Sequence, residues 1–193
     1  MKITLEYITP DAENFIGKMA GICYDAKAGR EAAIRRAKKC KDDGHLATLR
    51  FAHAVFHVSG ISRVCSHQFV RSKHLDFLQR SQRYCKEVDT EVVYPKGYSH
   101  EIELAFADAY MQSQTTYQYL LDHGVKKEDA RFVLPEATHT ELNVVGNLQA
   151  WKDFIKLRAD KHAQREIRQV AVAINNILSS HCPNLFEWIH NED

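Results

Sequence analysis

RVCSHQFVRSKHLDFLQRSQRY, residues 63–84, concentrates positive charge in a chain whose formal net charge is only +1. The stretch contains one acid, Asp76, and five cationic residues, which are Arg63, Arg71, Lys73, Arg80 and Arg83. Apolar side chains such as Phe69 and Phe77 lie among the charges, so part of the stretch is expected inside the protein, where unpaired charge is costly. Because arginine presents a planar fork of donors that matches phosphate or carboxylate, the stretch predicts an anion-binding site.

The composition is that of a globular protein: of 193 residues, 45% are hydrophobic and 26% are charged. A chain of this length is expected to form a single domain over residues 1–193. The near-zero net charge argues against a general nucleic-acid binder. No run approaches the roughly 18 apolar residues that span a bilayer, and acids stand where a secretory signal would be apolar. The cytoplasm is therefore the expected location.

The five cysteines form no CxxC pair and predict neither a disulfide framework nor a zinc site. Cys85, directly after the basic stretch, is a weak candidate nucleophile. His53 and His57 are spaced by four, but on a strand they stand about 13 Å apart and cannot share a metal directly. A metal-dependent hydrolase built on these two and His45 is a distant alternative.

Hydrophobic periodicity predicts an α+β protein in which helices outnumber strands. The predicted strands cover residues 2–8, 54–64 and 138–145, with an extended piece at 76–84. Helices are predicted after Asp11, over 29–41, 62–71, 101–122 and 126–132, from Asn147, and over 163–178. The chain contains no glycine-rich phosphate loop, so side chains must hold any nucleotide.

Three of these helices have predicted inner faces. The first consists of Phe15, Met19, Ile22 and Cys23. The long helix would bury Ile102, Phe106, Ala109, Tyr110, Tyr117 and Leu121. The last has the most regular stripe, Ile167, Val170, Ala171, Ile174, Ile177 and Leu178.

A second dense polar stretch runs from Arg158 to Glu166. One interpretation is a corner between two helices, stabilised by i,i+4 pairs such as His162 with Glu166. The other is that Arg158 projects from a helix end into a pocket.

Together the two polar stretches resemble a known family. Residues 68–84 are similar to the flavin-dependent thymidylate synthase signature, approximately Q-W-x-R-H-R-x-x-S-x-N-E-x-S-x-R-Y. Residues 146–168 resemble its N-x-R and F-x-x-L-R-x-x-x-x-A-Q-x-E-I elements. Further matches, in the same order, are TPDAENFI and ICYDA near the start, GHLATLRFAH at 44–53 and ARFVLP at 130–135.

The resemblance implies an α+β fold with an antiparallel-rich sheet flanked by several helices. It implies reductive methylation of dUMP to dTMP, with methylenetetrahydrofolate as carbon donor, FAD as hydride carrier and NADPH as reductant. It also implies a homotetramer with active sites where subunits meet. In that family no cysteine attacks the uracil ring, so Cys85 need not be catalytic.

By position, the resemblance also implies the site residues. Those expected to bind dUMP are Gln68, Arg71, Gln79, Arg80, Ser81, Gln82, Arg83, Arg131 and Arg158. Those expected to contact FAD are His45, Arg71, Ser72, Lys73, Asn147, Leu148, Gln149 and Asp153. The arginines would clamp the 5′-phosphate. Arg158 would be catalytic, stabilising negative charge that develops on the uracil ring.

The chain departs from the family signature at several positions. The family's R-H-R is Arg71-Ser72-Lys73 here, its following serine is Asp76, and its N-E is Leu78-Gln79. The tryptophan is Phe69, and N-x-R becomes Asn147-Leu148-Gln149. These changes keep two alternatives open. One is a related pyrimidine nucleotide methylase or hydroxymethylase with altered substrate, and the other is a non-catalytic nucleotide-binding homologue.

Overall fold

The computed structural model describes residues 1–26, 29–88 and 91–190. Within them lies a four-stranded sheet whose strands are β1 (Lys2–Ile8), β2 (His53–Ser62), β3 (Leu75–Gln79) and β4 (His139–Asn147). The spatial order is β1-β2-β4-β3. The strands predicted at 2–8, 54–64 and 138–145 are confirmed, whereas the extended piece at 76–84 is correct only as far as Gln79.

Hydrogen bonds at the strand ends show that every neighbouring pair of strands is antiparallel. Thr9, just beyond β1, donates its amide to the carbonyl of His53 at the start of β2, over 2.9 Å. Arg63, just beyond β2, bonds in the same way to Thr138 before β4. The amide of Arg80, which follows β3, donates to the carbonyl of Glu141 in β4. The sheet with its helices is an α+β fold, as predicted.

The chain divides into two compact units. Unit 1 comprises Met1–Lys2, Val58–Phe69 and Leu78–Leu142, and unit 2 comprises Ile3–His57, Val70–Phe77 and Asn143–Asp193. Among the described residues, no helix is long and apolar enough to cross a bilayer. The expectation of a single domain stays a prediction.

The helices of unit 1 are α3 (Arg63–Phe69), α4 (His100–Asp122) and α5 (Lys127–Ala130), with a 3₁₀ turn at Arg131–Val133. The predicted inner face of α4 is only partly correct: Tyr110 and Tyr117 are buried, but Ile102 and Phe106 are exposed. Phe106 stacks on Tyr94 with ring centroids 5.7 Å apart, but this ring contact leaves it exposed.

The helices of unit 2 are α1 (Ala12–Gly21), α2 (Arg30–Asp42), α6 (Leu148–Arg158) and α7 (Arg165–His181). Two 3₁₀ turns, Ile22–Tyr24 and Leu46–Phe51, follow α1 and α2. The core includes Trp151, which packs edge-on against Phe56 with ring centroids 5.0 Å apart and donates its indole N–H to the carbonyl of Ala54 over 3.1 Å. The stripe predicted for α7 is buried except at Ile177, which is half-buried.

The predicted inner face of α1 is wrong. Met19, Ile22 and Cys23 are exposed and Phe15 is half-buried, whereas the buried apolar positions are Ala12, Ile16, Gly17, Ala20 and Gly21. The cause is a very close approach to α2: a Cβ at Gly17 would lie 1.8 Å from the carbonyl oxygen of Ala33. Gly17 therefore faces α2, and the larger Met19 lies on the exposed side of α1.

Candidate active site

The basic stretch is divided between the two units. Its ends, 63–69 and 78–84, belong to unit 1, and its middle, 70–77, belongs to unit 2. The predicted nucleotide residues in unit 1 are Gln68, Gln79, Arg80, Ser81, Gln82, Arg83 and Arg131. Arg71, Arg158 and all the predicted flavin residues lie in unit 2. The two groups are described in turn.

In unit 1 the arginines surround a buried acid. The Glu87 carboxylate is fully buried, and its Oε1 lies 3.5 Å from Arg80 Nε. Arg63, at the start of α3, donates from Nη2 to the carbonyl oxygen of Arg80 over 2.9 Å. Its Nε is buried and has no hydrogen-bond partner among the described residues. This is a polar atom placed where a ligand could satisfy it.

The directions of the pKa shifts of Glu87 and Arg63 agree with this arrangement. Burial raises the pKa of Glu87, and the positive charges of Arg80 and Arg63 oppose that rise. Burial likewise lowers the pKa of Arg63; Glu87 opposes this, while Arg131 and Arg80 push it lower still. Arg63 and Arg80 therefore share one region with a partly compensating carboxylate, an arrangement of charges compatible with anion binding.

Neither Arg63 nor Glu87 was among the site residues expected from the sequence. Arg63 carried a usable signal, because it opens the basic stretch immediately after a strand that ends in Ser62. Glu87 carried none. Its place among the arginines comes from the turn over residues 80–85, in which the carbonyl of Ser81 accepts hydrogen bonds from the amides of Tyr84 and Cys85.

Gln79 is held by hydroxyl groups within unit 1. Its amide nitrogen donates to Ser66 Oγ over 2.9 Å and to Thr140 Oγ1 over 3.1 Å, which leaves its carbonyl oxygen as the acceptor of that side chain. Gln68 is half-buried on α3. Asp76, the unexpected acid of the signature, is exposed on β3, so its charge is not buried.

Arg83 and Arg131 both contact Glu128, a residue of α5. Glu128 Oε2 lies 2.7 Å from Arg83 Nε, and the carbonyl oxygen of Glu128 accepts a hydrogen bond from Arg131 Nε over 3.0 Å. Ser81 and Gln82 are half-buried in the preceding turn, where Ser81 Oγ accepts from the Arg83 amide over 3.2 Å. Arg83 and Arg131 thus share Glu128 as a contact, and Ser81 contacts the backbone of Arg83.

In unit 2, Arg158 is the last residue of α6 and is half-buried. The helix–helix corner predicted after it is confirmed, because α7 begins at Arg165. The predicted helical pair of His162 with Glu166 is wrong: His162 precedes α7, and its Nδ1 lies 2.8 Å from Asp160 Oδ1 instead. A cavity of about 560 Å³ opens beside the corner and is lined by Ala159 but not by Arg158.

The predicted flavin residues offer unsatisfied polar atoms. Ser72 Oγ and Gln149 Oε1 are both buried without a hydrogen-bond partner in the described part of the chain. Gln149 is oriented by its amide nitrogen, which donates to Asp153 Oδ1 over 2.8 Å. Such atoms fit a polar ring system like a flavin.

The other predicted flavin residues differ in exposure. His45, Arg71 and Lys73 are exposed, and Leu148 is fully buried, so only its backbone could reach a ligand. Asn147 Oδ1 accepts from the amide of Ala150 over 2.9 Å and caps α6, which confirms the predicted helix start.

The histidine pair lies on β2 as predicted, and His57 Nδ1 is 2.9 Å from Asn143 Oδ1. In residues 1–26, 29–88 and 91–190, no group of three or more His, Cys, Asp and Glu side chains could hold a metal ion. Cys85 is half-buried.

Comparison with known proteins places the chain in a family. The sequence model of the family described as "Thymidylate synthase complementing protein" matches residues 4–184. Proteins named "Flavin-dependent thymidylate synthase" are similar: that of Mycolicibacterium gilvum is 38% identical over 162 residues, and that of Mycobacterium marinum is 39% identical over 165 residues. Each alignment covers 75% of this chain and 65% of the relative.

An α+β protein with clustered arginines and a family match over almost its whole length defines a class. The chain belongs to the thymidylate synthase complementing protein family. It spans 65% of the length of the relatives named above.

Proposed function

We propose that this chain is an FAD-dependent thymidylate synthase, an enzyme that methylates dUMP reductively to dTMP. Its co-substrates would be methylenetetrahydrofolate and NADPH. The observation that carries the proposal is the arginine cluster of unit 1, in which Arg63 donates to the backbone carbonyl of Arg80 and Arg80 lies against buried Glu87. A nucleotide 5′-phosphate is a dianion that such a cluster binds through charge-assisted hydrogen bonds.

The residues of the chain would have the following roles in binding and catalysis. Arg83 and Arg131 would hold the phosphate with their terminal nitrogens, and the Gln79 carbonyl oxygen would accept a hydrogen bond from the nucleoside. Gln68, Arg80, Ser81 and Gln82 would complete the phosphate and sugar contacts, together with Arg71. Arg158, at the C-terminal end of α6, would stabilise negative charge on the uracil ring, the most demanding electrostatic role.

Ser72 and Gln149 support a flavin site in unit 2, since each has a buried oxygen without a partner in the described chain. His45, Arg71, Lys73, Asn147, Leu148 and Asp153 are the other residues proposed to contact FAD. When bound, the flavin supplies hydride-transfer chemistry that no side chain offers. The protein supplies orientation and charge.

We also infer that the functional enzyme is a cytoplasmic homotetramer of single-domain subunits whose active sites lie between subunits. The exposed apolar residues of α4, which include Ile102, Leu104, Phe106 and Met111, support assembly with further copies. Light scattering of the purified protein tests this, and a strictly monomeric protein would contradict it.

The absorption spectrum of the purified protein tests the proposed function most directly. We expect a flavin band, present at purification or gained with added FAD, and release of tritium from 5-labelled dUMP when folate and NADPH are present. Absence of flavin binding would overturn the proposal. Tight dUMP binding without flavin reduction by NADPH would instead indicate a non-catalytic homologue.

One observation favours a second candidate, a methylase or hydroxymethylase acting on another pyrimidine nucleotide. Gln79 stands where the family signature has glutamate, and its amide nitrogen is bonded to Ser66 and Thr140. The position therefore presents a neutral carbonyl oxygen rather than a carboxylate. Comparing turnover of dUMP, UMP and dCMP separates the two candidates.

A further inference from the structure

Glu128 contacts two of the predicted phosphate-binding arginines of unit 1, Arg83 and Arg131. It is the second residue of α5, a helix of only four residues, Lys127–Ala130. Its carboxylate pairs with Arg83 at 2.7 Å, and its backbone carbonyl accepts from Arg131 at 3.0 Å. The neighbouring Lys127 donates from Nζ to the carbonyl oxygen of Tyr84 over 2.6 Å. The single turn of helix α5 therefore contacts both the segment that contains Arg83 and Tyr84 and the segment that contains Arg131.

Glu128 contacts Arg83 and Arg131 at the equivalent atom of each side chain. In each case Glu128 contacts Nε, which is one corner of the planar guanidinium group. The terminal nitrogens of Arg83 and Arg131 make no hydrogen bond to any described residue. Because those two nitrogens form the end of the fork that binds a phosphate in bidentate fashion, each arginine is oriented while its binding edge stays open.

Orientation matters here because Arg83 is exposed. The side chain of Arg83 is 59% accessible, and that of Glu128 is 36% accessible. An exposed arginine samples many rotamers, and ordering it on binding reduces affinity. A partner that orders the side chain beforehand removes part of that cost. Arg83 also lies over the ring of Tyr84, which restricts it on a second side.

We propose that Glu128 is a positioning residue that orders Arg83, and through its backbone Arg131, for binding the nucleotide phosphate. This inference rests on the proposed function for the identity of the ligand. A carboxylate near a bound dianion also repels it. The proposal therefore requires that ordering outweighs repulsion, and the sign of the change in affinity decides between the two.

The experiment measures dUMP binding by calorimetry, and KM and kcat, for the full chain with its flavin. In Glu128→Ala the ion pair is lost, and we expect dUMP affinity to fall about threefold to tenfold, as for one side chain that must be ordered on binding. KM should rise by a similar factor with kcat little changed, because the phosphate contact is equal in ground and transition states. Glu128→Gln should fall between Glu128→Ala and the wild type.

Two controls separate positioning from general damage. Asp129→Ala removes the same charge from the next residue of α5, and Asp129 is exposed, so dUMP affinity should be unchanged. In an Arg83→Ala background, Glu128→Ala should cause no further loss, because its effect passes through Arg83. Unfolding midpoints of all variants should match the wild type.

Each outcome has a definite meaning. Unchanged or tighter dUMP binding in Glu128→Ala overturns the inference and leaves the proposed function intact, as does a full additional loss in the Arg83→Ala background. If the wild type binds dCMP or inorganic phosphate but not dUMP, and the Glu128 pattern holds for that probe, the positioning role stands and the proposed function fails. A wild type that binds none of these probes overturns both.

Discussion

Replacing Gly17 by alanine tests the close contact between α1 and α2. An added Cβ would lie 1.8 Å from the carbonyl oxygen of Ala33 and 2.4 Å from its carbonyl carbon. Both atoms belong to the backbone, so no rotamer change relieves the clash. The helices must separate by more than about 1.2 Å before the Cβ reaches 3.0 Å from that oxygen, the shortest separation found for real Cβ contacts.

The expected cost follows from two opposing effects. Overpacking typically destabilises by about 1–3 kcal/mol, and a backbone clash of this depth belongs at the upper end. Alanine gains about 1 kcal/mol over glycine in helix propensity. The net loss is therefore about 2 kcal/mol, which for a chain of this size lowers the melting temperature by about 4–8 °C.

The assay is urea denaturation followed by circular dichroism, with Gly29→Ala as the matched control. Gly29 precedes α2 with an ordinary negative φ, and no atom of the described, non-adjacent residues lies within 4 Å of the position its Cβ would take. We expect Gly29→Ala to change stability by less than about 0.5 kcal/mol, because the entropic gain and the poorer helix cap nearly cancel. A Gly17→Ala protein as stable as the wild type would refute the close-contact argument. Equal losses in both variants would show a general effect of removing glycine.

Three further predictions concern single side chains. Arg158→Ala should keep its flavin spectrum but lose about 3 kcal/mol of transition-state stabilisation, measured as turnover, and near-normal turnover would refute its catalytic role. Burial raises the pKa of the Cys182 thiol to about 12, so alkylation mapped by mass spectrometry should label exposed Cys23 first and Cys182 only after unfolding. Burial raises the pKa of Glu87, so its ionisation opposes folding. The stability of Glu87→Gln relative to the wild type should therefore increase as pH rises above about 4.5, measured as the free energy of unfolding. The opposite trend would mean that pairing with arginine outweighs burial.

Local patterns in the sequence predicted most of the secondary structure. The stripe from Ile167 to Leu178 has the helical period, and Asn147 is a favoured N-cap residue, so both predictions needed only neighbouring residues. The face of α1 needed more. Gly17 lies where the backbone of α2 approaches α1 closely. A prediction that assigns the buried face of a helix from its large apolar residues does not detect such a contact.

Candidate site residues were predictable from the sequence where they belong to a motif. They were not predictable where they depend on contacts between distant parts of the chain. Gln79, Arg83 and Arg131 were expected from the family resemblance. Glu128 lies 45 positions after Arg83, and only the folded chain brings the two together. Glu87 is an ordinary acid in the sequence, and its importance comes from complete burial beside Arg80.

Asn147 has a consequence for how the junction between β4 and α6 opens. It is the last residue of β4 and the cap of α6, and the next amide, that of Leu148, donates to the carbonyl of Ala52 over 2.9 Å. The strand end and the helix start are thus joined at Asn147, and we expect one opening event to expose the amides of Leu148 and Ala150 together. In amide hydrogen exchange these two positions should exchange at a common rate, and FAD binding should slow both by the same factor.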